Sequence, residues 1–66
     1  MKNTLKVQRA RADITQGALA DKIGVSRQTI NSIESGRYVP STVLALKLAS
    51  VLNVTVEELF ELEVDD

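Results

Sequence analysis

Four polar residues within one short segment have the types and spacing needed to contact nucleic-acid bases. At about 100° per residue, a helix places Gln28 almost opposite the apolar pair Ile30 and Ile33, so that it faces away from a core. Glutamine and asparagine can form two hydrogen bonds with adenine, arginine can do the same with guanine, and serine can bond either base. On residue types alone, an ordinary solvated helix face is the simpler interpretation. The candidate base-reading residues are Arg27, Gln28, Asn31 and Ser32.

A second set of residues has the chemistry for contacts to phosphate. The first backbone N–H groups of a helix lack partners and attract anions, and Gln16 lies where a helix is expected to begin. Arg37 and Tyr38 offer a flexible cation and a phenol just after the segment that carries the base-reading candidates. Tyr38 could equally well cover one end of the core. The candidate phosphate contacts are Thr15, Gln16, Ser26, Arg37, Tyr38 and Arg9.

The composition argues against most other kinds of chemistry. The 66 residues include neither His nor Cys, so the chain lacks the usual general base, the commonest nitrogen ligand for metals and any thiolate site. We therefore expect no enzyme activity, no catalytic residue, no metal and no cofactor. Six acidic residues lie between Glu57 and Asp66, but nothing fixes their geometry, so a solvated surface is preferred over a cation site.

The charges are divided unevenly between the two halves of the chain. The net charge is only −1, which is unusual for a protein that binds nucleic acid. Residues 1–38 carry seven Lys or Arg and three acidic residues, a net charge of +4. Residues 39–66 carry one Lys and six acidic residues, a net charge of −5. The basic half is the one that holds the base-reading candidates, so it can face phosphate while the acidic half faces away.

Residues 16–35 have the pattern of two short helices joined by a tight turn, and this pair would position the candidates. Ala20 is small enough for the point where two helices cross, and Gly24 can adopt positive φ in the turn. Val25 is expected to hold the turn against the core. Ile30 and Ile33 are three residues apart and share the buried face of the second helix.

Capping residues predict five helices in all. We expect the first after Asn3 or Thr4 to about Ala12, and the others at 16–23, 27–35, 42–52 and from 56 to 60 or 62. Thr15, Ser26, Ser41 and Thr55 are their expected caps, and Thr55 with Glu58 forms a capping box. The fourth helix is apolar around most of its circumference and is expected to be mostly buried. We expect Leu59, Phe60 and Leu62 to close the core and residues 63–66 to fray.

These residues resemble the phage-repressor family, also called the Cro-like or xenobiotic-response-element family. TQGALA, GVSRQTI and IESGRYVPS are similar to three successive blocks of that family, and Ala20, Gly24, Ile30 and Ile33 match its helix-turn-helix positions. The resemblance covers roughly residues 2–62. It implies an all-α, five-helix, lambda-repressor-like DNA-binding domain with the helix-turn-helix at its second and third helices.

The resemblance also implies roles for individual residues. Family members read DNA at the positions matching Arg27, Gln28 and Ser32, and the residue matching Gln16 contacts phosphate while supporting the one matching Gln28. Arg9 resembles a family arginine that pairs with the glutamate matching Glu34, a structural contact that also leaves Arg9 near phosphate.

The chain departs from the family pattern at two positions. Gln8 replaces the usual apolar residue, so either it is buried with hydrogen-bond partners or the first helix is rotated or loosely packed. Gly17 replaces a bulkier residue in the first turn of the second helix, at a cost of about 0.5–1 kcal/mol relative to alanine.

From these observations we expect a single domain over residues 1–66, with the helix-turn-helix at 16–35 and an acidic tail at 63–66. The predicted function is sequence-specific binding of double-stranded DNA, with repression of transcription by a homodimer at a palindromic operator. We expect a cytoplasmic protein with no leader and no membrane segment. The alternative is an antitoxin-like or coactivator-like module whose main partner is another protein.

Overall fold

The computed structural model describes residues 1–66 and is mostly helical. Two strands of two residues each form one small antiparallel sheet, in which Lys2 lies opposite Glu61 and Asn3 lies opposite Phe60. The predicted five-helix, lambda-repressor-like fold is confirmed. The elements are β1 (Lys2–Asn3), α1 (Leu5–Arg11), α2 (Gln16–Ile23), α3 (Arg27–Glu34), α4 (Thr42–Leu52), α5 (Val56–Leu59) and β2 (Phe60–Glu61).

Side-chain caps start four of the five helices, as predicted. The hydroxyl oxygens of Thr15, Ser26, Ser41 and Thr55 each accept a hydrogen bond from the backbone N–H three residues ahead, at 3.1–3.2 Å. The Thr55 capping box is complete, because Glu58 Oε1 accepts from the Thr55 N–H at 3.2 Å. Helix α1 is capped by Asn3 rather than Thr4, since Asn3 Oδ1 accepts from the Leu5 N–H at 3.1 Å.

The turn between α2 and α3 depends on Gly24. This residue has φ 77° and ψ 34°, and its N–H donates to the carbonyl of Ala20. Left-handed backbone is costly for a residue that has a Cβ, so glycine ends the helix here without strain. The N–H of Val25 also donates to the Ala20 carbonyl, at 3.0 Å. Both bonds hold the turn close to the end of α2 and set the direction in which α3 begins.

The core lies between α2, α3 and α4 and is closed by α1 and α5. Ala20, Ile30 and Ile33, which the sequence assigns to the buried side of the helix-turn-helix, are all buried. Val25 is half-buried and packs against this cluster, as do Ile14, Val54, Val56 and Phe60. The buried apolar residues are Leu5, Leu19, Ala20, Ile23, Ile30, Ile33, Leu44, Leu48, Ala49, Leu52 and Leu59.

The end of the chain differs from the prediction. Helix α5 stops at Leu59, and Phe60 adopts the extended values φ −127° and ψ 139° because the chain leaves the helix to pair with β1. The expectation that the helix continues to residue 60 or 62 is therefore wrong. The expectation that Leu62 closes the core is also wrong, since this side chain lies beyond the strand and is 76% exposed.

Helix α4 is less buried than its apolar sequence indicates. Leu44, Leu48 and Leu52 form one buried stripe, but Val43 and Leu46 are 64% and 57% exposed. A chain of 66 residues has too few elements to surround a helix, so only one face of α4 meets the core. The prediction of a mostly buried helix is wrong, and an apolar surface remains on its outer side.

Residues 63–66 are exposed and contact the start of the chain through ion pairs. The Met1 α-amino group lies 2.9 Å from Glu63 Oε1 and 3.2 Å from Asp66 Oδ2. Hydrogen bonds to Glu63 and then to Asp66 raise the pKa of the amine. The pKa of Asp66 is lowered, mainly by its hydrogen bond from the Glu63 N–H and then by the amine.

The structure shows how the fold accommodates Gln8, one of the two departures from the family pattern. Gln8 is buried, with 9% exposure. It makes no side-chain hydrogen bond within the protein, yet no side-chain nitrogen or oxygen is both fully buried and without a partner. The amide therefore reaches solvent. Gln8 is thus buried, as in the first of the two alternatives, but without hydrogen-bond partners within the protein.

Candidate nucleic-acid interface

Helix α3 packs against the core so that its polar face is exposed to solvent. Ser26 caps its start, and Ile30 and Ile33 anchor its inner side in the core. Arg27, Gln28 and Asn31 are consequently exposed, whereas Ser32 is half-buried. The spacing of the two isoleucines is thus enough to orient the helix. The side chains that face solvent are those with hydrogen-bonding groups complementary to base edges in the major groove.

The base-reading candidates border two different hollows. Gln16, Arg27, Gln28 and Asn31 line one hollow between the starts of α2 and α3, and every residue in its lining is polar. Ser32 lies in the second, next to the loop that follows α3. Gln28 borders both, so it is the central residue of the surface. The second hollow is lined by Val25, Ser26, Gln28, Thr29, Ser32, Tyr38 and Leu44.

A third polar hollow surrounds the first turn of α2. Arg9, Gln16 and Arg27 border it together with Thr15 and Gly17. Two cations therefore lie close to the free N–H groups at the start of a helix, which is a favourable environment for a phosphate group. Thr15 contributes mainly as the cap, because its oxygen accepts from the Ala18 N–H at 3.1 Å.

The loop after α3 folds back on the helix and brings two phosphate candidates to the same face. The N–H groups of Arg37 and Tyr38 both donate to the Ser32 carbonyl, at 2.9 and 3.2 Å. Arg37 Nε donates to Ser35 Oγ at 3.0 Å. Tyr38 borders the second hollow and is 45% exposed. Tyr38 thus shares that hollow with Leu44 and is also open to solvent.

A buried carboxylate links three helices behind this surface. Arg9 Nε lies 2.8 Å from Glu34 Oε2, as the resemblance implies, and the Glu34 side chain is only 6% exposed. Arg9 also donates to the Ile14 carbonyl at 3.1 Å. The second Glu34 oxygen accepts from Gln16 Nε2 at 3.1 Å and from an Arg9 nitrogen at 3.4 Å. The charge is thus paired on both oxygens, which is what burial requires.

Two contacts to α3 have no local signal in the sequence. The Gln16 amide donates to Glu34, whereas the resemblance implies support of Gln28. Asn3 Nδ2 donates to the Ile33 carbonyl at 2.9 Å and so ties the start of the chain to the end of α3. Both contacts join residues far apart in sequence, so residue spacing could not predict them. The placement of Gln16, Arg27, Gln28 and Asn31 on one surface does agree with the sequence analysis.

The chain has no cluster of three or more acidic, His or Cys side chains arranged to hold a metal ion. None of the helices has the length and apolar character needed to cross a bilayer.

Comparison with known proteins identifies the family. A family profile described as helix-turn-helix, HTH_3, matches residues 5–59. The chain is 52% identical over 66 residues to an uncharacterized HTH-type transcriptional regulator of Methanocaldococcus jannaschii, and the match covers 100% of both proteins.

Two solved structures are similar in both fold and sequence. The restriction-modification controller protein C.AhdI of Aeromonas hydrophila is 34% identical, with a TM-score of 0.78 over 85% of each chain. The P22 c2 repressor, solved in complex with a synthetic operator, is 26% identical, with a TM-score of 0.77 over 80% of each chain. From these matches and from the helix-turn-helix itself, the chain belongs to the Cro-like, phage-repressor-like family of helix-turn-helix transcriptional regulators, which bind DNA and are not enzymes.

Proposed function

We propose that this protein is a transcriptional repressor that binds a palindromic operator as a homodimer, on DNA in the cytoplasm. The observation that carries the proposal is the exposed polar face of α3, on which Arg27, Gln28 and Asn31 project away from the buried Ile30 and Ile33. A bound repressor would leave polymerase no access to the overlapping promoter. The P22 c2 repressor, whose structure was solved with an operator, supports this mode of action.

Contacts to base edges and contacts to phosphates are assigned to different parts of the surface. Arg27, Gln28, Asn31 and Ser32 would contact base edges, because they lie on the helix that enters the major groove in this geometry. The first turn of α2 and the loop after α3 would contact the flanking phosphates, which fix the orientation of the protein on the duplex. The phosphate contacts are assigned to Arg9, Thr15, Gln16, Ser26, Arg37 and Tyr38.

Dimerisation is assigned to the apolar surface on the outer side of α4. Val39, Pro40 and Leu46 border a groove whose other wall is formed by Val56 and Phe60. None of these residues borders the hollows of the recognition surface, so both surfaces can be occupied at once. The domain measures 32 × 21 × 20 Å. In the proposed dimer the two recognition helices would lie about 34–36 Å apart, the separation of half-sites one DNA turn apart.

The charge of the second half limits how the two copies meet. Six acidic residues lie between Glu57 and Asp66 in each copy and would repel across a two-fold axis if they were close to it. The contact is therefore centred on Val43 and Leu46, which are exposed and apolar, with the acidic residues at the rim.

Selection of bound sequences from a random DNA pool tests the proposal. We expect one enriched palindrome whose half-sites are one helical turn apart, and sedimentation of the complex should give two chains per site. Leu46→Glu places a charge on the exposed apolar surface and should weaken the dimer without unfolding the chain. A matched change of the exposed Lys47 to Glu should leave the dimer intact if the contact is centred on Leu46.

Two results would count against this proposal. A single copy bound to one half-site, with no second copy added at excess protein, contradicts the dimer. A monomer that selects no DNA sequence but co-purifies with another protein favours the interaction-module alternative, for which the apolar groove beside α4 would be the docking surface.

A further inference from the structure

The buried carboxylate of Glu34 makes a second side-chain contact in addition to its ion pair with Arg9. One of its oxygens is held by Arg9 Nε at 2.8 Å, and the other accepts from the Gln16 side-chain amide at 3.1 Å. Gln16 is one of the four residues that line the polar hollow shared by Arg27, Gln28 and Asn31. A carboxylate in the interior therefore directly contacts a side chain of the recognition surface.

The chemistry of Glu34 determines which end of the Gln16 amide it can hold. An ionised carboxylate only accepts hydrogen bonds, so it can bond the amide nitrogen of Gln16 but not the amide oxygen. The Glu34 side chain is 6% exposed and paired with Arg9, which fixes the carboxylate in place. The nitrogen of Gln16 is therefore directed inward, and its oxygen accepts no hydrogen bond from the protein.

Gln16 shares its polar hollows with side chains that can donate hydrogen bonds. Arg27 borders two of the three polar hollows to which Gln16 contributes, and its guanidinium makes no hydrogen bond or ion pair within the chain. Gln28 borders one of them and is exposed. An acceptor held at this position can restrict the conformations of these long side chains before DNA arrives. Ordering them in advance lowers the entropy lost on binding.

From this geometry we infer that Glu34 is a positioning residue for DNA recognition: it fixes the orientation of the Gln16 amide so that the Gln16 oxygen orients Arg27 and Gln28. The inference rests on the proposed readout by Arg27 and Gln28. It assigns Glu34 a part in sequence preference as well as in the fold.

Glu34→Gln tests this at nearly constant size. The new amide keeps one oxygen, which Arg9 holds because a charge-assisted hydrogen bond is the stronger one. Its NH₂ group then faces the NH₂ group of Gln16, and two donors cannot bond each other. Gln16 must turn, and its oxygen leaves the hollow. We expect affinity for the selected site to fall about tenfold, with a smaller loss on single-base-pair variants of that site.

The measurement is the ratio of affinities for the selected site and for those variants, taken where each protein is fully folded. A change that merely destabilises the fold lowers the concentration of active protein and leaves this ratio unchanged. Asn3→Ala is the matched control, because it removes the 2.9 Å bond to the Ile33 carbonyl near the same end of α3 without touching Gln16. It should lower the free energy of unfolding and leave the ratio intact.

A double-mutant cycle tests whether Glu34 acts on recognition through Gln16. Gln16→Ala should lower the ratio by itself, and Glu34→Gln in the Gln16→Ala background should lower it less than twofold further. A full additional loss in that background overturns the inference, since Glu34 would then act independently of Gln16. An unchanged ratio in Gln16→Ala overturns it as well, and that variant, at a half-buried residue in the first turn of α2, remains informative if Glu34→Gln does not fold. Absence of any preferred sequence for the wild-type chain would instead refute the proposed function.

Discussion

The same substitution at two glycines should change stability in opposite directions. Gly17 lies in the first turn of α2, and Gly24 ends that helix with φ 77°. A Cβ built at either position meets no heavy atom within 4 Å. Steric contact therefore does not determine the effect of alanine at either glycine. The two positions differ only in their backbone conformation.

The expected magnitudes follow from that difference. Alanine at Gly17 removes the conformational cost of glycine within a helix and should stabilise the fold by about 0.5–1 kcal/mol. Alanine at Gly24 must adopt left-handed backbone and should destabilise the fold by about 1–2 kcal/mol. In a domain of this size, each kcal/mol corresponds to about 4–8 °C in Tm. The two variants should differ in Tm by roughly 6 °C or more.

Thermal and urea unfolding followed by far-ultraviolet circular dichroism measure both effects. Gly24→Asn serves as a further variant, because asparagine tolerates left-handed backbone and Asn53 already ends α4 with φ 56°. It should be more stable than Gly24→Ala. The reasoning is refuted if Gly24→Ala is as stable as the wild type, or if both alanine variants shift Tm in the same direction.

Three further predictions concern binding and pH. Gln28→Ala should cost about 1–3 kcal/mol on the preferred site and relax its sequence preference, as competition binding would show; unchanged affinity would mean that the recognition face is misassigned. Arg37→Ala should weaken binding to all sequences about equally and lower the slope of log affinity against log salt by roughly one, whereas a sequence-dependent loss would make Arg37 a base reader. In the 66-residue chain, the raised pKa of the Met1 amine adds stability that is fully present below pH 8.0 and lost as pH rises through the raised value. The lowered pKa of Asp66 adds stability that is present above pH 3.8 and lost as pH falls through the lowered value. Urea titrations of the free and N-acetylated chains should therefore give the same free energy of unfolding at both extremes of pH and different values between them.

The helices could be predicted because their signals are local. Thr15, Ser26 and Thr55 each lie three residues before the N–H that they cap, so one short stretch of sequence contains both partners. Ile30 and Ile33 orient α3 in the same way. The recognition surface follows from these local facts, which is why the sequence analysis places Arg27, Gln28 and Asn31 together.

The contacts that could not be predicted join distant parts of the chain. The strands β1 and β2 have two residues each, too few for an alternating pattern, and nearly the whole sequence lies between them. The bond from Gln16 to Glu34 depends on how α2 crosses α3. The exposure of Val43 and Leu46 depends on how many elements surround α4, which an apolar sequence alone does not reveal.

The small sheet has a consequence for the order in which the molecule opens. Each strand has only two residues, so few backbone hydrogen bonds hold β1 to β2. The bond from the Thr4 N–H to the Leu59 carbonyl, at 2.8 Å, belongs to the same junction. We therefore expect the junction to open before the helices separate and its amides to exchange with solvent through this local opening. Each opening also releases Asn3 from the Ile33 carbonyl, so the C-terminal end of the recognition helix fluctuates with the two ends of the polypeptide.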